Sequence, residues 1–208
     1  MLRTAFRILI GLLAIVGVVV VVAGASFGAG GISAKTAPGR TETVLARRLR
    51  SIAIPRAARE RQNPVAASPD AMKEGMEHFA DHCAICHAND GSGETEMGRA
   101  MYPRVPDMRQ GTTQNLTDGE LFYIIENGVR LTGMPAWGSG SEHDTNDNWR
   151  LVHFIRHLPQ LTQAEMETMK KLNPKSPEEN EENEKERRFL EGGQPKAAPP
   201  AHRHGGKG

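Results

Sequence analysis

The run from Ile8 to Ala34 carries no charged residue, and its centre, ILIGLLAIVGVVVVVAGA, is dense in Leu, Ile and Val. Such a stretch predicts a helix long enough to cross a hydrocarbon core of roughly 30 Å. A cleaved signal peptide is the competing reading, because Ala23-Gly24-Ala25 resembles a small-residue cleavage site. The apolar core from Ile8 to Val22 is long for a signal peptide and favours an uncleaved anchor. Either outcome exports the rest of the chain. Leu45, Leu49 and Ile52 then recur at helical spacing in LARRLRSIAI, which predicts a short amphipathic helix ending before Pro55.

From Ser68 the pattern becomes that of a packed helical unit. Ser68-Pro69-Asp70 supplies a capping hydroxyl, a proline at the first helical position and an acid in the first turn, so a helix is expected through AMKEGMEHFADHC. HANDGSGETEMG predicts a loop, and the prolines of Tyr102-Pro103-Arg104-Val105-Pro106-Asp107 continue it as an extended segment. Thr117-Asp118-Gly119-Glu120 forms a capping-box pattern ahead of the apolar LFYIIEN, and Asn127-Gly128 stops that helix. SGSEHDTNDN reads as a polar loop before a helix opened by Trp149, with Leu151, Phe154, Ile155 and Leu158 on one face. Thr162 and Glu165 cap a short appended helix that Asn173-Pro174 ends after Leu172.

The predicted fold is all-α, in five parts: 1–34 anchor or signal sequence, 35–67 connector, 68–161 central domain, 162–173 appended helix and 174–208 tail. SPEENEENEKERR is charged and GGQPKAAPPAHRHGGKG is rich in Gly and Pro, so the tail holds too little apolar surface to offset chain entropy and is expected to be disordered.

Charge changes this picture more than bulk composition does. The net charge of +1 hides a segregation: in the connector Lys35, Arg40, Arg47, Arg48, Arg50, Arg56, Arg59 and Arg61 face only Glu42 and Glu60, whereas acids outnumber bases from Ser68 to Leu161. The connector can lie on anionic headgroups, meet an acidic partner, or be a solvated linker. Its arginines conflict with an outward-facing domain under the positive-inside tendency, although Arg3 and Arg7 favour an inward N-terminus. Nothing in the charge pattern points to nucleic acid.

The chemistry is concentrated in His82-Cys83-Ala84-Ile85-Cys86-His87, which holds the only two cysteines of the 208 residues. C-x-x-C-H is the attachment pattern of heme c: each thiol adds across one porphyrin vinyl group, and the following imidazole is placed to bind the iron. A thioredoxin-like dithiol belongs to a strand-then-helix setting, and no alternating run precedes Cys83. A closed zinc site needs four ligands, and there is no second cysteine pair. His153 and His157, four apart, and His202 and His204 read better as surface histidines than as metal ligands.

Met134 lies between Gly133 and Pro135, a loop methionine with a constrained backbone, and a thioether suits the position opposite imidazole on iron. Met97, Met101 and Met108 compete from the first long loop, while Met72 and Met76 read as packing residues.

GMEHFADHCAICH, LTDGELFYIIENG, TGMPAWG and WRLVHFIRHLP together resemble a class I c-type cytochrome of the bacterial mono-heme kind, over roughly Ser68 to Leu161. The resemblance implies a cytochrome c-like helical domain around one covalently bound heme c. Cys83 and Cys86 would form the thioethers, with His87 and Met134 as axial ligands of the heme iron. Gly75 and Phe79 would cross the terminal helix opposite Leu151 and Phe154. Pro103 or Pro106 would orient the imidazole, and Tyr102, Arg104, Arg130 or Trp137 would bond the propionates.

The function expected from this is single-electron transfer in a bacterial respiratory chain. The carrier, not itself an enzyme, would be anchored by one helix in the inner membrane, with its heme domain in the periplasm. Its expected partners are a redox donor and acceptor, including a terminal oxidase or dehydrogenase. Alternatives are a heme-bearing subunit of such a complex, a heme sensor, and a thiol or zinc protein.

Overall fold

A computed structural model describes residues 2–29, 33–175 and 177–190, and every regular element among them is helical. In chain order these are α1 (Leu2–Ala29), α2 (Arg40–Ala53), α3 (Arg56–Arg59), α4 (Pro69–His78), α5 (Ala84–His87), α6 (Glu96–Ala100), α7 (Gly111–Gln114), α8 (Asp118–Asn127), α9 (Glu142–His157), α10 (Gln163–Leu172) and α11 (Pro177–Leu190). The tail beyond residue 190, with His202 and His204, and residues 30–32 lie outside the described residues.

Local chemistry starts most of these helices. The Ser68 hydroxyl accepts the Ala71 N–H at 3.0 Å, and Thr117 with Glu120 and Thr162 with Glu165 complete reciprocal capping boxes. Each satisfies donors that a helix N-terminus otherwise leaves orphaned. α9 starts earlier than expected, within SGSEHDTNDN, because Ser141 caps it through the Asp144 N–H and Glu142 and Asp144 stand in its first turn. A polar composition here marks a solvated helical turn, not a loop.

Between α4 and α5 the expected continuous helix is replaced by a π turn over Phe79–Cys83, closed by the Ala84 N–H on the Phe79 carbonyl. One extra residue in a turn rotates everything after it by about 100°. The π turn buries two consecutive residues, Phe79 and Ala80, completely. Asn173, with its amide oriented to satisfy both ends, donates to the Ala80 carbonyl at 3.1 Å.

The core forms where α4 crosses α9. A Cβ on Gly75 would overlap the Arg150 carbonyl, so only glycine allows this approach, and Phe79 then meets Phe154 at 5.1 Å between ring centroids. Phe122 of α8 stacks on Trp149 at 4.0 Å. Complete burial of Phe79 and of Phe154 contributes roughly 1.5–3 kcal/mol each.

The packed unit reaches beyond 68–161 at both ends. Met169 of α10 is fully buried. On the other side Ile54 is buried, the Asn63 amide donates to the Trp149 carbonyl at 3.0 Å, and His153 bonds the Val65 carbonyl at 2.8 Å. The Arg61 guanidinium lies 4.5 Å from the Phe122 ring centroid. The second half of the basic connector is therefore built into the domain.

The flanking helices differ in kind. Arg3–Ala25 of α1 is long and apolar enough to cross a membrane, and none of it is buried against the protein. α11 occupies part of the stretch expected to be disordered. It is helical through pairs along its own surface, Lys185 with Glu181 and Arg187 and Arg188 with Glu184, with no buried face among its described side chains.

Candidate heme site

Cys83 closes the π turn, Cys86 and His87 lie on α5, and the pair is not disulfide-bonded. α5 ends at once: Ala88 takes φ 59°, and the Gly93 N–H returns to the His87 carbonyl at 2.8 Å. Thr95 bonds the Cys86 carbonyl through its hydroxyl at 3.1 Å. The motif is thus held from both sides, by the α4–α9 core before it and by the first loop after it.

Burial controls the protonation of these groups. The Cys83 thiol is pushed up to about 12, by burial first and the neighbouring Cys86 second, and burial also raises Cys86. A redox dithiol needs a depressed pKa, so this environment opposes the thioredoxin-like reading. The zinc reading loses support as well. Among the described residues the one cluster of metal-ligating groups is His143, Asp144 and Asp147, which contains neither cysteine.

His87 is 7% exposed, and burial lowers its imidazole from 6.5 to about 4. It is neutral at physiological pH, the form that ligates metal. Its Nδ1 is buried without a hydrogen-bond partner, so neither Pro103 nor Pro106 accepts from it here. Two protonated thiols one helical turn apart, followed by a buried neutral imidazole with an unpartnered nitrogen, fit the donor set of a covalently attached heme.

The Met134 loop is organised by backbone bonds. The Val129 N–H donates to the Met134 carbonyl at 3.1 Å, and the Trp137 and Gly138 N–H groups donate to the Ile125 and Glu126 carbonyls at 3.0 Å each. The Met134 N–H donates to the Thr132 hydroxyl at 3.1 Å. Gly128, at φ 66° and ψ −171°, occupies backbone space open essentially to glycine alone, and a Cβ there would stand 2.7 Å from the Met134 carbonyl oxygen. The half-buried Met134 is thereby held over the C-terminus of α8.

The two motifs meet through aromatic rings. His82 of HCAICH and Trp137 of TGMPAWG stand edge to face at 5.4 Å, and His82 also stacks on His78 at 4.6 Å. Nothing in the spacing of the sequence pairs His82 with Trp137. Met101 packs against Gly133, its sulfur filling the space a side chain there would take, so a second thioether lies beside the Met134 loop. Met108 instead joins the periphery of the core, and Met97 is exposed.

Among the four residues considered for the propionates, the Tyr102 hydroxyl is engaged by Glu42 of α2, and Trp137 is half-buried against His82 and the core. Arg104 and Arg130 are exposed. His153 and His157 are both committed within the fold, to the Val65 carbonyl and to Glu165 at 2.9 Å.

Residues 70–155 match the family model described as cytochrome C oxidase, cbb3-type, subunit III. This domain is a c-type cytochrome. It is similar to the cbb3-type cytochrome c oxidase subunit FixP of Azorhizobium caulinodans, 38% identical over 77 residues, a match that covers 33% of this chain and 21% of that protein. The chain thus spans about a fifth of the length of that curated relative. The segment matched by the family model contains the HCAICH motif, TGMPAWG and the α4–α9 crossing, and leaves α1, α2, α3, α10 and α11 outside.

Proposed function

We propose that the chain is a membrane-anchored mono-heme cytochrome c that passes single electrons within a bacterial respiratory chain, as a heme-bearing component working with a terminal oxidase. The observation that carries this reading is the buried, neutral His87 directly after Cys83 and Cys86, in a domain whose relatives are named as oxidase subunits. One C-x-x-C-H in the sequence argues for one heme.

Cys83 and Cys86 would hold it by thioethers, and His87 and Met134 would supply the protein ligands of its iron. When bound, the heme supplies a one-electron couple, and imidazole with thioether favours a raised potential. The residues of the chain do the rest. The α4–α9 core fixes His87, the Gly128 turn fixes Met134, and burial keeps the imidazole unprotonated. With His87 and Met134 both committed as ligands, the chain would act as a carrier and not as a catalyst. α1 anchors it in the inner membrane with the domain on the periplasmic side. Glu74, Glu77, Asp81 and Asp147 line a groove beside the attachment motif, suited to a basic docking surface on a redox partner.

The test is a pyridine hemochrome assay with a reduced-minus-oxidised spectrum, on protein made alongside the heme-attachment machinery. The expected result is covalent heme at one per chain; protein without covalent heme overturns the reading. A Met134→Ala variant with an unchanged low-spin spectrum would reject only that ligand and point to Met101. Copurification with oxidase subunits supports the oxidase assignment, and a chain that purifies alone while reducing an oxidase supports a diffusing-electron role. Carbon monoxide binding to the untreated ferrous protein would favour the sensor alternative.

A further inference from the structure

We infer that α2 is an interfacial helix, lying with its apolar side in the headgroup region of an anionic membrane and setting the height and orientation of the cytochrome domain above it. The inference rests on the proposed anchoring by α1.

At 100° per residue, Val44, Ile52, Leu45 and Leu49 fall within about 140° of arc. These residues are 58%, 76%, 57% and 56% exposed, and none of the described residues covers them. Four large aliphatic side chains on one exposed face are costly in water unless something else buries them. Arg40 stands at the edge of this arc and Arg48 lies within it, the arrangement in which long basic side chains reach headgroup phosphates while their stems stay apolar, whereas Arg47 falls about 60° outside it and faces away from the lipid. Arg40, Thr41, Val44, Leu45 and Arg48 line a shallow groove with a largely apolar floor. A phosphate at its rim and acyl methylenes on its floor match that lining.

Position in the chain selects lipid over other occupants. Only ten residues, 30–39, separate the end of α1 from the start of α2. Even fully extended they span at most about 40 Å, so α2 is held at the membrane surface. At its other end α2 is continuous with the domain. Ile54 is 3% exposed, its carbonyl accepts from the Arg59 guanidinium at 3.0 Å, and the side of α2 opposite the arc carries the half-buried Thr43 and Arg50, while Glu42, at the edge of the arc beyond Leu49, engages Tyr102. A helix tied to the domain on one side and apolar and basic on the other transmits the plane of the membrane to the heme motif.

The full-length holoprotein, with a benzophenone amino acid at Val18, Arg47 or Ile52, is photolysed in nanodiscs of phosphatidylcholine, with or without phosphatidylglycerol, and adducts are read by mass spectrometry. The expected result is lipid adducts at Ile52 in phosphatidylglycerol nanodiscs, several-fold fewer at Arg47, and about a five-fold fall or more at Ile52 when phosphatidylglycerol is omitted, the factor one arginine contributes at an anionic surface. Leu45→Glu with Leu49→Glu abolishes the Ile52 adduct without changing the heme spectrum. The idea is overturned if Ile52 gives no more lipid adduct than Arg47, or crosslinks to a second copy of the chain instead. Val18 reports anchoring separately: lipid adducts there without any at Ile52 reject the interfacial helix and keep the anchor, and the reverse pattern rejects the anchor and keeps the helix.

Discussion

The HCAICH segment and the Met134 loop present the two proposed axial ligands by different physical means. Around His87 the chain is held by burial: Phe79 and Ala80 are fully enclosed and Ala84 is 6% exposed. Around Met134 it is held by backbone hydrogen bonds and one glycine, with Gly133, Pro135 and Ala136 all exposed. The first ligand therefore depends on the integrity of the whole core, whereas the second depends on one local turn. The difference predicts that the proposed Met134 ligand is lost before the domain unfolds.

The largest effect should come from Phe79→Ala, which removes the ring between Phe154 and His87 and is expected to cost about 3–5 kcal/mol in denaturant unfolding of the holoprotein. A loss under 1 kcal/mol would break the view that the core holds the proximal side. Gly128→Ala should cost about 2–3 kcal/mol, confined to the distal side, because it meets both a forbidden backbone region and the Met134 carbonyl. Its signature is loss of the sulfur-to-iron charge-transfer band at denaturant concentrations where far-ultraviolet dichroism is unchanged. Coincident loss of both signals would erase the distinction between the two sides.

Acid should also separate them. In the loop after His87, Arg109 bonds Asp107 and reaches Asp90 at 2.8 Å, and the Arg109 hydrogen bonds take Asp107 from 3.8 to about 2. A carboxylate depressed on folding contributes stability above its unfolded pKa and loses it as pH falls through the folded one, here between 3.8 and about 2. After allowance for solvent screening this amounts to about 1–2 kcal/mol. Hydrogen exchange at residues 89–110 should accelerate across that window, and exchange at 129–138, bonded through carbonyls and a hydroxyl, should not follow it. The smallest effect belongs outside both regions. Arg187→Ala, in the exposed α11, should change domain stability by less than about 0.5 kcal/mol while lowering the helicity of that segment.

The parts legible in the sequence are those written in local chemistry. Ser68, Thr117 and Thr162 announce their helices because a capping hydroxyl acts on an N–H two or three residues away. At Ser141 an equally good cap lies inside a polar run whose composition reads as a loop, so the same signal is hidden there. The π turn at Phe79–Cys83 left no local trace, since it arises from the need to bury two adjacent residues against α9 and α10. Membership of residues 54–65 in the domain was hidden by charge: Arg59 and Arg61 read as solvated, yet one holds the Ile54 carbonyl and the other covers Phe122 and Trp149.

By itself the sequence determined the covalent possibilities: a single C-x-x-C-H, a loop methionine between glycine and proline, and an apolar run of membrane length, each a property of neighbours along the chain. Only the tertiary structure decided which groups stand together. It brought His82 to Trp137, Met101 to the Met134 loop and α2 to the domain's flank, because those contacts close loops of dozens of residues and depend on where the α4–α9 crossing leaves room. It also decided the protonation of Cys83 and His87, since desolvation is a property of surroundings that no spacing encodes.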